Sequence, residues 1–593
     1  MTVSAEVDER TLREIYLPAF ERVVTEEQPW TVMCAYNRIN GIPAAENHWL
    51  LTEVLRDEWG FDGVVVSDWG AVDQRVPALA AGLDLEMPGP QRDSTDAVVA
   101  AVRSGELDES VLDAAVERLT QLVERSLRYS KGSDASLREP QRAAAAQHTL
   151  AREAATESMV LLRNEGAILP LATAQSIGVI GEFARTPRFQ GAGSSQVLPT
   201  RVDDALSAIS AIAPVEFAAG YSFDRRVEPG PLVDEAVAVA RRSDTVLLFV
   251  GLPARDESEG YDRTHLDLPK AQTELIAAVA AANPRTVVIL TNGGVVSLEP
   301  WHDSVPAILE TWLLGQAGGS AIAEVVFGIV APSGRLAESI PYRLQDTPAY
   351  LNFPGENDVV RYGEGIFVGY RYYESVDVPV RYPFGYGLGY TEFALADLRV
   401  SRDGSAASVT VSNVGDRPGS HVVQLYVSAP AGPVARPRRE LRAFAKVALE
   451  PGQSKRVEFA LDARTYAYWD TRTSGWAVSG GEYLIEVGHS AHDIALVHPV
   501  NLRGPAPGKL TLESRVSDFL EHPVTGPLLA RASRDAGLEG GTSLLDMVGS
   551  MPMRRLMRFP GVADSFRSAG ALMAVANNRI IRGIASWWQR RRG

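Results

Sequence analysis

Two groups of carboxylates stand where bond-making chemistry can be done. The first is Asp68, placed directly after the run Gly63-Val64-Val65-Val66-Ser67 and directly before Trp69. A valine run of that length reads as a buried strand, and in parallel α/β barrels the reacting groups sit at the C-terminal ends of strands. The second is the loop GLPARDESEGYDRTHLDLP (251–269), which follows the apolar stretch TVLLFV and crowds together Asp256, Glu257, Glu259, Asp262 and Asp267. One carboxylate as nucleophile and a second as acid/base is the equipment for cleaving a glycosidic bond with retention, at a separation of about 5–5.5 Å. The acid needs a raised pKa, which burial or the neighbouring carboxylate supplies. Each feature also has a plainer reading. An Asp after a strand is commonly the N-cap of the next helix, and an acidic loop is commonly a solvated turn.

The elements that must hold these groups are legible in the spacing. Residues 10–27 carry apolar side chains at helical intervals through Leu12, Ile15, Tyr16, Phe20 and Val23. WTVMCAY (30–36) reads as a buried strand, HWLLTEVLRDEWG (48–60) as a helix closed by Gly60, GVVVS (63–67) as a second buried strand, and AAGLDLEMP (80–88) as a third short strand. A long amphipathic helix covers 108–127, and KGSDASLREPQ (131–141) is a polar linker. A second α/β unit follows, with strands at 176–183, 245–251, 286–293 and 307–315 and helices near 203–212, 232–242, 270–282 and 319–327. Residues 343–392 are rich in Tyr and Gly without clear period. From about 394, short alternating strands with turns mark a β-sandwich. The expected fold class is multidomain α/β plus β. Its parts are barrel-type α/β at 1–130, a linker at 131–145, an α/β sandwich at 146–345, a connector at 346–393, a β-sandwich at 394–502 and an extension at 503–593.

Composition narrows the function classes. The chain has 593 residues, 45% hydrophobic and 22% charged, and a formal net charge of −16. That length suggests three or four domains, and the acidity argues against a nucleic-acid partner. A lone cysteine, Cys34, excludes a disulfide framework and a cysteine-rich zinc site. The start MTVSAEVDER has neither a basic n-region nor an apolar h-region, and no 18-residue apolar run occurs, so a cytoplasmic location is expected. No G-x-S-x-G elbow, G-x-G-x-x-G or P-loop is present. Residues 551–593 carry nine Arg against one Asp. They read as a solvated helix or disordered tail, or alternatively as a basic helix making membrane-surface contact.

The stretches TLREIYLPAFE, VMCAYNRING, LLTEVLRDEWGFDGVVVSDWGAV, AAGLDLEMPGP, ESMVLLRNEGAILPL, GAGSSQV, ESEGYDRTHLDLP, RYGEGIFVGYRYYE, YPFGYGLGYTEF, GSHVVQLYV and RPRRELRAFAKVAL run through most of the chain, to about residue 500. Together they resemble the β-glucosidase group of glycoside hydrolase family 3. The resemblance implies a (β/α)8 barrel, an α/β sandwich and a fibronectin type III-like domain. It implies exo-acting double displacement with retention on a small oligosaccharide or an aryl or alkyl β-glycoside, with no cofactor and no metal. The Asp of the family's SDW motif falls on Asp68 as nucleophile. The Glu of its (S/G)-E-G-Y motif falls on Glu259 as acid/base, with Glu257 the nearby rival. Met33 and Tyr36, from M-x-x-Y-N, match positions lining the sugar subsite, and Trp69 matches an aromatic at the pocket mouth. For these three, ordinary barrel packing is the plainer reading. The Asp–His pair of the N-acetylglucosaminidase branch is not found, whereas xylose and arabinose units stay open beside glucose, as does the oligomeric state.

In that family the SDW strand comes late in the barrel, around the seventh of eight. Here about three strands precede the linker, too few to close a barrel. The family's Asp, Arg and Lys-His contacts to sugar hydroxyls, on earlier strands, have no matching positions. The expectation is an incomplete, N-terminally truncated barrel with open apolar edges and a poorly held sugar. The alternative function is accordingly a non-catalytic protein that binds a glycan or a partner.

Overall fold

The structure is a computed structural model. It describes residues 2–89, 92–132, 140–224, 226–504, 509–522, 524–529, 548–558, 573, 574 and 576–578. The N-terminal unit begins with β1 (Ser4–Glu6) and a helical segment: α1 (Glu9–Thr11), a wide turn through Leu12–Tyr16 and α2 (Pro18–Glu27). Asp8 caps α1, its carboxylate accepting from the Thr11 amide at 3.0 Å. β2 (Thr31–Cys34) pairs in parallel with β5 (Val64–Ser67), in the register Cys34 to Ser67. Between them lie the short hairpin of β3 (Arg38–Ile39) and β4 (Ile42–Pro43) and the wide helix Trp49–Glu58. α3 (Arg75–Ala81), α4 (Arg92–Ser104) and α5 (Glu109–Gly132) follow. They bury Leu79, Val98, Ala101, Leu107 and Ala115 against one another.

Two expectations are corrected here. The stretch 80–88 is not a strand: α3 runs through Ala81, Gly82 closes it, and only Leu85 bridges to Val66. β2 is only partly buried: Cys34 is enclosed, whereas Met33 is 58% exposed. The apolar run does form a strand, but among the described residues only β5 pairs with it. β5, by contrast, has Val64 and Val65 fully enclosed.

α6 (Pro140–Ser158) leads into the second unit; α5 and α6 reach into both flanks of the expected linker, whose residues 133–139 lie outside those described. The unit is a six-stranded sheet of β6 (Val160–Asn164), β7 (Ile177–Ile180), β8 (Val215–Ala218), β9 (Thr245–Gly251), β10 (Thr286–Thr291) and β11 (Ala307–Glu310). The strand order is β6-β11-β10-β9-β7-β8, parallel except for β6. Every residue of β9, β10 and β11 is buried, which is why these strands read as continuous apolar runs. β6 and β8 were not anticipated: VLLRN ends on polar residues and VEFA is only four long. The helices are α7 (Ala205–Ser210), α8 (Pro229–Arg242), α9 (Lys270–Ala282) and α10 (Gly318–Val326).

The chain leaves β7 for β8 on one side and returns to β9 on the other. The order therefore reverses between β7 and β9, and ligand sites in such sheets form beyond the carboxyl ends at that reversal. The loops after β7 and β9 are the two that emerge there.

Residues 343–392 are structured by their partners rather than by a period of their own. Val359–Arg361 adds to β1 as a parallel strand, in a sheet that continues through β3 and β4. The β-sandwich stacks a three-stranded sheet (Phe393–Val400, Ala406–Asn413, Ser454–Ala460) on a four-stranded one (Glu440–Leu449, Gly419–Ser428, Gly481–Gly488, Ile494–Leu502). Val409, Val411, Val423, Leu425, Tyr483 and Ile485 fill its core. Beyond it, Leu510, Val516, Phe519, Met553 and Leu556 form a small separate cluster. The expected basic helix at 571–593 lies almost wholly outside the described residues. Among those described, no helix is long and apolar enough to cross a membrane.

Candidate active site

Asp68 follows β5 by one residue, so the enclosed valines fix its backbone. Ser67 is fully buried, its hydroxyl accepting from the Met87 amide at 2.7 Å. Oδ1 of Asp68 accepts from the Tyr36 hydroxyl at 2.8 Å and from the Trp69 amide at 2.7 Å. Among the described residues none donates to Oδ2. The bond to Asp68 raises the Tyr36 pKa, so the phenol stays protonated and donates. Trp69 stands 59% exposed beside the acid. Met33 lies one register position before Cys34 on β2, opposite Val66.

Beneath this strand end is a charged support. The Asp84 carboxylate, fully enclosed, accepts from the Val65 amide at 2.8 Å, from Arg56 at 2.8 Å and from Arg118 at 2.9 Å. Burial lowers the Arg56 pKa even with Asp84 beside it.

Glu259 comes from the loop after β9, and its partner comes from the loop after β7. Its Oε2 accepts from both the amide (2.6 Å) and the hydroxyl of Ser194. These bonds hold Glu259 below the usual carboxylate range, while the charge of Asp68 pushes the other way. The charge of Glu259 in turn adds, as a smaller cause, to the raised pKa of Tyr36. Charges on the two units thus act on one another. Gly193 has φ +92°, and a Cβ there would lie 2.5 Å from the Glu259 Cβ, so the loop after β7 must be glycine at this contact.

Glu257, two residues away, is differently placed. It accepts from Arg188 at 2.6 Å and from the amides of Gly293 and Gly294 at 2.7 and 2.6 Å. A cavity of about 590 Å³ opens on another flank of the same loop, among Tyr261, Arg263, Lys270 and Glu299. Neither Asp68 nor Glu259 lines it.

The structure therefore joins Asp68, Tyr36 and Trp69 by hydrogen bonds and Glu259 to Ser194, with the charge of Asp68 felt at Glu259, and leaves Met33 exposed on the strand leading to Asp68. Sequence reasoning missed Ser194, Arg188 and the Gly293–Gly294 pair. GAGSSQV stands among the family-like stretches, but its contact lies 65 residues downstream and no local spacing reports it.

Comparison with known proteins decides the family. The chain matches the glycosyl hydrolase family 3 N-terminal domain over residues 2–122, the C-terminal domain over 159–390 and a fibronectin type III-like domain over 421–491. It is 47% identical over 517 residues to an exo-α-(1→6)-L-arabinopyranosidase of Bifidobacterium longum, covering 85% of this chain and 67% of that one. The chain belongs to glycosyl hydrolase family 3. It is also 44% identical over 579 residues to thermostable β-glucosidase B of Acetivibrio thermocellus, covering 94% and 76% of the two chains. Among solved structures, a family 3 β-glucosidase of Bifidobacterium adolescentis superposes with a TM-score of 0.85 at 46% identity, covering 89% of this chain and 78% of that one. β-Glucosidase 3B of Thermotoga neapolitana, in complex with α-D-glucose, superposes with a TM-score of 0.77 at 34% identity, covering 85% and 76%. The family 3 membership makes this chain a glycoside hydrolase, built from N-terminal, α/β C-terminal and fibronectin type III-like domains.

Proposed function

We propose that this family 3 hydrolase is an exo-acting, retaining glycosidase that removes the terminal sugar of a small β-glycoside by double displacement. The observation that carries the reading is the orientation of Asp68 through Oδ1 by the Tyr36 hydroxyl and the Trp69 amide, with Oδ2 unengaged among the described residues. It is supported by the effect of the Asp68 charge on Glu259 of the neighbouring unit.

In the first step Oδ2 of Asp68 attacks the anomeric carbon. The bond to the leaving oxygen breaks, and that oxygen takes the proton of Glu259. The products are a glycosyl ester on Asp68 and the free aglycone alcohol. In the second step the Glu259 carboxylate takes a proton from water as the water oxygen attacks the same carbon. Asp68 is released and the anomeric configuration is kept. Tyr36 and the Trp69 amide hold Oδ1 throughout, so attack leaves from one defined oxygen. Trp69 offers an apolar wall at the mouth. The exchange of Ser194 for the leaving oxygen at Glu259 is what converts a carboxylate held charged into a proton donor.

The relatives' names bear on the sugar. One is a β-glucosidase and one an α-L-arabinopyranosidase. An α-L-arabinopyranoside is the pentose counterpart of a β-D-hexopyranoside, with the leaving oxygen equatorial in both, so one nucleophile geometry serves either. Proton NMR of the first minutes of hydrolysis of an aryl β-D-glucoside tests the mechanism. The β anomer is expected first, and immediate release of the α anomer would contradict double displacement.

A further inference from the structure

The loop 252–266 carries Glu259 at its tip and has no regular structure of its own. Acid catalysis is sensitive to displacement of the acid, and about 1 Å can cost a hundredfold in rate. Something must hold that tip. We propose that Glu257, with Arg188 and the backbone of Gly293 and Gly294, is the positioning residue that fixes Glu259 against Asp68. This deepens the reading of Asp68 and Glu259 given above and rests on it.

The Glu257 carboxylate receives two consecutive amides and a guanidinium. Arg188 is only 9% exposed. It donates as well to the carbonyl of Leu252 at 2.8 Å and to that of Glu257 itself at 3.1 Å, so one guanidinium ties the start of the loop to its middle. The carboxylate packs closely on this backbone: a Cβ on Gly293 would stand 3.0 Å from a Glu257 carboxylate oxygen, and one on Gly294 3.4 Å from the other. The far limb is tied to the same stretch of chain. Arg263 donates to the Val295 carbonyl at 2.9 Å, and the Ser297 amide to the Leu266 carbonyl at 2.7 Å. Both limbs flanking Glu259 are thereby fastened to residues 293–297, which follow the fully buried β10. A rigid sheet, reached through Glu257, sets where the acid stands.

A purely structural ion pair would make a different prediction. Its loss would lower stability and slow every substrate alike. Loss of a positioning residue instead falls on the step that needs a proton. The test uses the full chain and two aryl glycosides. The 2,4-dinitrophenyl glycoside has a leaving group that needs no protonation; the phenyl glycoside does need it. Glu257→Gln should lower kcat/KM for the phenyl glycoside by about ten- to a hundredfold and for the dinitrophenyl glycoside by less than about threefold. Glu259→Ala is the reference, with the same split but larger, and with the dinitrophenyl reaction accelerated by azide. If Glu259→Ala shows no split, the assignment of Glu259 fails. If it does and Glu257→Gln slows both substrates equally or neither, the positioning role is overturned. Trypsin cleavage after Arg255 and Arg263 reads the same clamp without turnover. It should quicken in Glu257→Gln by about tenfold at a melting temperature shifted by only a few degrees, and unchanged cleavage would overturn the proposal. Should Glu257→Gln fold poorly, Arg188→Lys keeps the charge but loses the fork, and the same split is expected.

Discussion

One serine hydroxyl and one amide, both from Ser194, hold Glu259, the acid/base of the proposed mechanism. Ser194 stabilises the charged form of Glu259, and the charge of Asp68 opposes it. Removing the hydroxyl leaves the amide and the repulsion, so the pKa of Glu259 must rise. In the proposed mechanism the first step needs protonated Glu259, whose pKa would then set the alkaline limb of the kcat/KM profile. Ser194→Ala should therefore move that limb to higher pH, and an unmoved or lowered limb would contradict the role given to Ser194. Asp68 and Glu259 stand out in the sequence through the family's SDW and (S/G)-E-G-Y motifs, beside a valine strand and a crowded acidic loop, and the roles proposed for them rest on that resemblance. Ser194 and Arg188 were not, because their partners lie 65 and 69 residues away in sequence. Glu257 and Glu259 are told apart in the sequence only by the family motif, and the fold gives them different partners.

At the scale of elements, β5 is the strand that must not move, and Asp84 is what pins it. This enclosed carboxylate accepts from Arg56, Arg118 and the Val65 amide. Removing it would leave two cations without their partner and an amide unsatisfied within the core. Asp84→Ala should cost about 3–5 kcal/mol in urea unfolding, and a loss below about 1 kcal/mol would show that the network is ornamental. The strand β5 could be read from its valines, whereas Asp84 sat in a stretch mistaken for a third strand. The error has a physical cause: Leu83 and Leu85 alternate with acids as a half-buried strand would, but the Gly82 turn and the Asp84 ion pairs place them, not a ladder. β2 misled in the other direction. Its apolar run implies burial on both sides, and burial depends on neighbours that no run of four residues can report.

At the scale of the molecule, the two halves of the site are carried on different units, and a third braces them. Val359–Arg361 completes the N-terminal sheet beside β1. Arg13 stacks over Trp469 of the β-sandwich at 4.5 Å, Glu14 accepts from the Trp469 amide at 2.8 Å, and Arg464 pairs with Glu21 at 3.0 Å. The sandwich also grips the α/β unit. There His421 faces Arg335, His489 and the Phe393 ring. Arg335 donates to Nδ1 of His421, which leaves Nε2 to donate to His489 and makes the ring neutral. Burial, with Arg335 and His489 beside it, pushes the His421 pKa from 6.5 down to about 3. A depressed value means that the unfolded chain takes the proton first. The stability is complete above about pH 6.5 and is lost as pH falls towards 3. The melting temperature should decline already between pH 6.5 and 5, before carboxylates titrate, and His421→Phe should flatten that decline. A parent profile flat in this range would contradict it. The switch from helical spacing to alternation near residue 394 made the sandwich visible from sequence. The braces between units were not visible, since single Arg, Trp and His side chains carry no periodic signature.

The central claim is that Asp68 forms a covalent bond to the sugar, and a slow substrate tests it most directly. Incubation with 2,4-dinitrophenyl 2-deoxy-2-fluoro-β-D-glucoside followed by peptide mass spectrometry should find one fluoroglucosyl group, on the peptide containing Asp68, with none in Asp68→Asn. A label on another carboxylate, or none on the chain, would contradict the account.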